Sequence, residues 1–224
     1  FRVASLVRFG LALKSPDELP AAAALLYSKD TQRSELPQIR TLSVRNSGGS
    51  CLLDAITLRN LEIVQGIRGR GKEGTLLSVL DRTATPMGGR LLRQWLCEPL
   101  VNVGAINARL DAVEYFVRNT AIRMEASRAL RRCADLGRIA GRIAFGNATP
   151  RDLKSLERSL AAIPQLKAIL GCGQGSDLPE FVRGACGMLS DLSWVGETIR
   201  AAIVDDPPAA VRNGGVIRDG FSAE

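Results

Sequence analysis

Beyond about residue 75, apolar residues recur at three- and four-residue steps, a spacing that lines them up on one face of successive α-helices. Leu91, Leu92, Trp95 and Leu96 form one such stripe, with Arg90, Arg93 and Gln94 off it; Val103, Ile106, Leu110, Val113 and Val117 form the next. Ile122 to Leu130, Leu136 to Ile143, and Leu153, Leu156, Leu160 and Ile163 continue the pattern, and helices are predicted over Pro179–Leu189 and Leu192–Val204. Start signals precede several of them. Thr85-Pro86 and Thr149-Pro150 pair a capping hydroxyl with a proline whose missing N–H costs nothing at the first helical position, and Asn102 can cap the helix after it. Glu98-Pro99 ends the first of these helices, because a residue before proline is pushed out of the α region. Short connections between such helices make antiparallel neighbours, hence a bundle. On this reading Trp95 is a core residue and the arginines beside it form a solvated face.

Before residue 75 the pattern changes. Asp17-Glu18-Leu19-Pro20 opens an alanine-rich helix that closes near Tyr27 to Gln32. Ile39, Leu42 and Val44 lead into the turn cluster Asn46-Ser47-Gly48-Gly49, and Cys51-Leu52-Leu53 lead out, which predicts a β-hairpin. With strand-like Leu61 to Val64 it would make a small sheet over about residues 37–66. The expected fold class is mainly α: a helical bundle core with a small β-hairpin or sheet towards the N-terminal part.

Composition narrows the chemistry. The chain has no histidine, so the usual general base near neutral pH and the commonest metal ligand are both missing. Cys51, Cys97, Cys133, Cys172 and Cys186 contain no C-x-x-C pair and read as buried apolar residues of a reducing compartment, not as a disulfide framework. No run of about 18 apolar residues is present to span a membrane. The net charge of +7 favours a polyanionic neighbour, but the basic residues are dispersed.

One stretch imitates a phosphate-binding loop. Gly66-Ile67-Arg68-Gly69-Arg70-Gly71-Lys72 follows G-x-x-x-x-G-K, yet Glu73 stands where the magnesium-ligating hydroxyl belongs. Thr75 cannot replace it, since two residues along a helix turn a side chain by about 200°. Asp205-Asp206, followed by Pro207-Pro208, reads as solvated charge at a helix end. No residue is singled out as catalytic, cofactor-binding or metal-ligating, and the chain is not expected to be an enzyme.

Two blocks carry a family likeness. Asp54-Ala55-x-Thr57-x-Arg59-Asn60-Leu61-Glu62-Ile63, and Thr75-Leu76-Leu77-x-Val79-Leu80-Asp81-x-Thr83-x-Thr85-Pro86-Met87-Gly88-x-Arg90-x-Leu92 closed by Trp95-Leu96 and Pro99-Leu100, resemble the core domain of the MutS family of DNA mismatch-repair proteins. Asp135-Leu136-x-Arg138-Ile139, Thr149-Pro150-Arg151-Asp152-Leu153 and Asn213-Gly214-Gly215-Val216-Ile217 continue it, and Phe1 to Ser15 is similar to the end of the family's connector domain. Gly137 departs from the pattern, standing where the family usually has glutamate.

The resemblance implies residues 1–15 as the end of the connector domain, 16–204 as the helical core or lever domain, and 205–224 as a segment leading to the clamp domain. It implies a structural role, joining mismatch-recognition parts to an ATPase domain and carrying conformational change between them. ATP and magnesium would belong to the parent protein. Its partners would be mismatched duplex DNA, the other MutS domains, a second subunit in a homodimer and a MutL-type repair protein; its setting would be cytoplasmic and nucleoid-associated, bacterial or archaeal. The family's core is completed by a helix returning after the clamp, so Leu192, Val195, Ile199 and Ile203 are expected to lie uncovered and to promote self-association, and the segment after Pro207 to be a poorly ordered terminus. Two other classes stay open: a basic helical nucleic-acid-binding module unrelated to MutS, and an NTP-binding protein using the Gly66 to Lys72 loop.

Overall fold

The computed structural model describes residues 18–33, 39, 49–67, 71, 73–173, 177–208, 211 and 214–221. The chain divides into two units, Phe1–Gly48 and Gly49–Glu224. In the first, α1 (Glu18–Gln32) is the alanine-rich helix expected from the sequence, with Leu25 buried. The connector-like residues 1–15 and most of the predicted hairpin, including Leu42, Val44 and Asn46 to Gly48, lie outside the described residues.

The second unit is helical throughout: α2 (Ala55–Asn60), α3 (Leu76–Leu80), α4 (Pro86–Cys97), α5 (Val103–Arg118), α6 (Thr120–Leu130), α7 (Leu136–Ala144), α8 (Pro150–Leu170), α9 (Glu180–Met188) and α10 (Ser193–Ala202). Side-chain oxygens start most of these helices. Asp54, Thr75, Thr85, Asn102 and Asp135 each accept a free N–H one turn in, and Thr149 and Asp152 form a reciprocal capping box on α8. The loop between α2 and α3 is closed at its base, where Leu76 and Leu77 donate their N–H groups to the carbonyls of Glu62 and Ile63.

The predicted sheet does not form over the described part of residues 37–66. Residues 55–60 are helix, and Leu61 to Gln65 are turns and bends, not a strand. Asp54 is the reason: its carboxylate receives the Thr57 N–H at 2.6 Å and nucleates a helix where apolar β-branched residues suggested extension. Cys51 to Leu53 have no regular structure, and Ser50 pairs with Leu100 in an isolated antiparallel bridge within this unit.

The long helix α8 is the centre of the unit, packed by α6, α7 and α10, while α5 packs on α6 and α9. At the α8–α10 crossing Gly196 faces Leu160, where a Cβ would make an ordinary contact with the Leu160 Cβ at 3.9 Å. A second cluster joins Ala112 of α5 to Leu178, Val182 and Cys186, with Tyr115 and Phe116 against it.

Three burial expectations change. The α5 stripe faces outward: Val103 is 68% exposed, Leu110 58%, Val113 58% and Val117 60%. The helix docks instead through its far side, where Ala112, Tyr115 and Phe116 pack against Val182 and Cys186 of α9. The α10 stripe is largely covered, with Ile199 and Ile203 buried and Val195 half-buried, because α8 packs on it; Leu192 alone of the four stays open. Nor do the described residues after Pro207 all leave the fold. Ile217 pairs with Ile203, and Arg218 donates its N–H to the carbonyl of Ala202 at 2.8 Å.

Candidate functional site: a relay of ion pairs between helices

Charged side chains join the helices end to end. On α4, Arg90 lies one turn inside the Thr85 cap and reaches 45 residues along the chain to Asp135, donating from Nη1 to Oδ2 at 2.5 Å and from Nη2 to Oδ1 at 2.8 Å. Asp135 is also the N-cap of α7, receiving the Arg138 N–H at 3.2 Å. These Arg90 hydrogen bonds, with the Arg138 N–H and both arginine charges behind them, bring its carboxyl down to about 2. In the last turn of α7, Arg142 donates to Asp152 of the α8 capping box at 2.6 Å.

Along α8 the relay goes inside. Lys154 and Glu157 are 4% and 7% exposed and form an ion pair at 2.5 Å, one turn apart. Burial pushes the Glu157 carboxyl up, but hydrogen bonds from Lys154 and Arg200 outweigh it and hold it below its ordinary value. Arg200 of α10 supplies its Nε at 2.9 Å. Lys154 also reaches Asp205 at 3.4 Å, and Asp205 takes Arg218 at 2.6 Å. Arg218 places its Nε on the carbonyls of Arg200 and Ile203, at 2.9 and 3.1 Å, neutralising the negative end of α10.

One neutral contact reinforces this line. Ser159, fully buried in α8, accepts the Ala134 N–H at 2.8 Å and donates to the Ser155 carbonyl at 2.7 Å, fixing the α6–α7 corner to the middle of α8. The result is a continuous path from α4 through α7, α8 and α10 to the returning segment.

The structure repositions several residues read from the sequence. Arg90 is not part of a merely solvated face, since Asp135 grips it. Asp205 is solvated, its side chain 78% exposed, but it is also paired with Arg218 and Lys154. Trp95 is half-buried, not deep in a core: Phe181 of α9 meets its ring edge-on at 5.9 Å, and the Arg109 guanidinium lies over it at 3.8 Å. That arginine leaves the solvated side of α5 because the indole face offers its charge a π partner. Gly137 opens the space beside Arg90: a Cβ there would stand 3.9 Å from Nη2, so Asp135 takes both nitrogens without a competing carboxylate.

The cysteines are not all free. Cys172 and Cys186 are joined, their Cα atoms 5.9 Å apart, where the end of α8, through Leu170 and Cys172, meets the cluster that holds Val182 and Cys186 of α9.

The phosphate-loop mimic lies partly outside the described residues, which omit Arg68 to Arg70 and Lys72. Thr75, the nearest hydroxyl, is fully buried and caps α3 by accepting the Ser78 N–H at 3.1 Å. Among the described residues no group of three or more His, Cys, Asp or Glu side chains could hold a metal ion, and no helix is long and apolar enough to cross a membrane.

The stretch Asp81-x-Thr83-x-Thr85-Pro86-Met87-Gly88, followed by Gly89, is a helix-start device. Asp81 accepts from the Thr83 N–H and hydroxyl at 3.0 and 2.7 Å, and Thr85 accepts from the Gly88 N–H at 3.0 Å. Both glycines leave room for Thr83, which would lie 3.3 Å from a Cβ at either position.

The comparisons with known proteins agree with this architecture. Residues 56–222 match the family described as MutS domain III. The chain is 41% identical over 222 residues to the DNA mismatch repair protein MutS of Methanococcoides burtonii, covering 99% of this chain and 25% of that protein. It is 40% identical to the MutS of Methanosarcina barkeri over 224 residues and to that of Salinibacter ruber over 225, each alignment covering all of this chain and 25% and 24% of the relative. The chain thus spans about a quarter of the length of these relatives. With three quarters of its residues inside the family match and full-length identity near 40%, the chain belongs to the MutS family of DNA mismatch-repair proteins, as a piece containing domain III.

Proposed function

We propose that this chain is the lever core of a MutS protein, passing displacement between mismatch-binding parts and an ATPase domain, and performing no chemistry itself. The observation that supports this is the ion-pair relay. Close-packed helices transmit a push instead of absorbing it, and charged pins between them keep their ends in register while they move. On this reading residues 1–15 end the connector domain, 16–204 are the lever core and 205–224 lead to the clamp. The parent would be a homodimeric, nucleoid-associated cytoplasmic protein using ATP and magnesium, meeting mismatched duplex DNA and a MutL-type partner. The outward stripe of α5 is the surface we assign to other MutS domains.

The test uses the full-length parent. Arg90→Gln and Glu157→Gln should leave mismatch binding and basal ATP hydrolysis near wild type but slow ATP-triggered release from mismatched DNA. The double variant should be less than additive, since both residues lie on one path. Release unchanged in variants that remain folded would remove the lever reading.

A further inference from the structure

The joined pair Cys172–Cys186 has no part in the relay, yet its setting suggests control. Their Cα separation of 5.9 Å sits at the usual disulfide spacing of about 5.5–6 Å. The other cysteines, Cys51, Cys97 and Cys133, are free, so the pairing is selective. Cys172 lies just after the left-handed Gly171 that ends α8, and is partly exposed; Cys186 is buried in α9, within the cluster of Ala112, Leu178 and Val182. Helix α9 is weak by itself. It is a nine-residue helix with Gly184 and Gly187 inside, and it begins at Pro179 with no side-chain cap. Beyond its apolar contacts, Lys167 donates to the Leu189 carbonyl just past its end at 3.1 Å. A covalent tie to the end of α8 therefore adds a second anchor to the α5 cluster that holds it.

We propose that Cys172 and Cys186 are a reversible thiol–disulfide site that exchanges with low-molecular-weight disulfides, and that its state sets how firmly α9 is held against α8 and α5. The more exposed Cys172 reacts first: its thiolate attacks one sulfur of R–S–S–R, forming Cys172–S–S–R and releasing RS⁻. The Cys186 thiolate then attacks the Cys172 sulfur, forming the internal bond and releasing the second RS⁻. Two electrons pass from the cysteines to the small disulfide and the two thiol protons end on RSH; excess RSH reverses both steps. What is controlled is the apolar groove of about 570 Å³ between α5 and α9, lined by Leu100, Gly104, Ala108, Phe181, Gly184 and Met188. Phe181 also carries the edge contact to Trp95, so loosening α9 would reach α4.

The experiment takes the intact chain equilibrated with oxidised or reduced glutathione. After oxidation, peptide mapping should find a Cys172–Cys186 cross-link and alkylation should label neither of these two cysteines, while Cys51, Cys97 and Cys133 carry only alkyl groups or glutathione and no internal bond. Reduction should speed amide hydrogen exchange over residues 180–188 by about tenfold or more while the middle of α8 is unchanged. Cys172→Ser should exchange like the reduced chain under both conditions. Glutathione adducts without the internal bond, a bond to another cysteine, or equal α9 exchange in both states would each overturn the proposal.

Discussion

Arg90 and Asp135 hold each other through two parallel hydrogen bonds, at 2.5 and 2.8 Å, although 45 residues separate them and they sit on different helices. This fork geometry fixes orientation as well as distance, which a lysine at the same place could not do. Asp135 also caps α7, so one carboxylate sets both where that helix begins and where α4 lies beside it.

That arrangement gives a pH signature. The Asp135 carboxyl, ordinarily near 3.8, is held down to about 2 in the folded chain, chiefly by the Arg90 hydrogen bonds. A depressed acid contributes its stability in full above the ordinary value and loses it as pH falls from there through the folded value. A carboxyl titration followed by NMR should find Asp135 ionised at pH 3, and Arg90→Gln should return its midpoint towards 3.8. An unchanged midpoint in Arg90→Gln would show that Arg90 is not the cause.

Glycine replacements should split by sign. At Gly137, in the first turn of α7, an added Cβ meets Asp135 Oδ1 at 3.8 Å and Arg90 Nη2 at 3.9 Å, ordinary contacts. Gly137→Ala should therefore stabilise the chain by about 0.5 kcal/mol. Gly88→Ala, pressed against Thr83 at 3.3 Å and Thr85 at 3.2 Å, should cost about 1 kcal/mol despite alanine's better helix propensity. Urea denaturation of the two variants reads the difference, and the same sign in both would contradict it.

The buried pair on α8 should be worth more broken than removed. Glu157→Gln leaves the Lys154 ammonium in a nearly dry site and should cost about 3 kcal/mol, while Lys154→Met with Glu157→Leu should recover most of that loss. Equal losses in the single and double variants would mean that the pair, and not its desolvation, carries the stability.

Self-association, expected from the sequence through α10, should run through α5 instead. Val103, Ile106, Leu110, Val113 and Val117 alternate three- and four-residue steps, the seam of a two-helix coil, and four of the five are more than half exposed. In sedimentation runs, Leu110→Lys with Val113→Glu should shift concentrated chain towards monomer, and Trp194→Lys should not. The opposite pattern would move the contact to α10.

Local chemistry explains which parts were legible. Thr85-Pro86, Asn102 and Thr149-Pro150 start helices because a cap acts within one turn, and any reader of four residues can see it. Asp54 is an equally local start, but the apolar run Leu61 to Val64 beyond it reads as a strand. Periodicity located α5 correctly but not its inner face, because Ala112, Tyr115 and Phe116 become the better surface only when α9 is beside them. Arg90–Asp135, Lys154–Asp205 and Cys172–Cys186 were invisible for the same reason: each is a meeting of elements, and neither partner's neighbourhood announces it. Arg218 had one faint signal, the Gly214-Gly215 pair shortly before it, both in the left-handed region of φ.

Ser159 sets a limit on how far this molecule can bend. Its hydroxyl holds the Ala134 N–H at 2.8 Å, and a hydrogen bond has little strength left beyond about 3.5 Å, so drawing α8 away from the α6–α7 corner along that bond by more than about 0.7 Å breaks the contact. The next helical position is about 1.5 Å and 100° away and would present Leu160, which offers no side-chain acceptor. Such a joint behaves as a detent: it moves rigidly under small loads and slips all at once under large ones. Replacing Ser159 with alanine would leave the packing nearly intact and abolish the click.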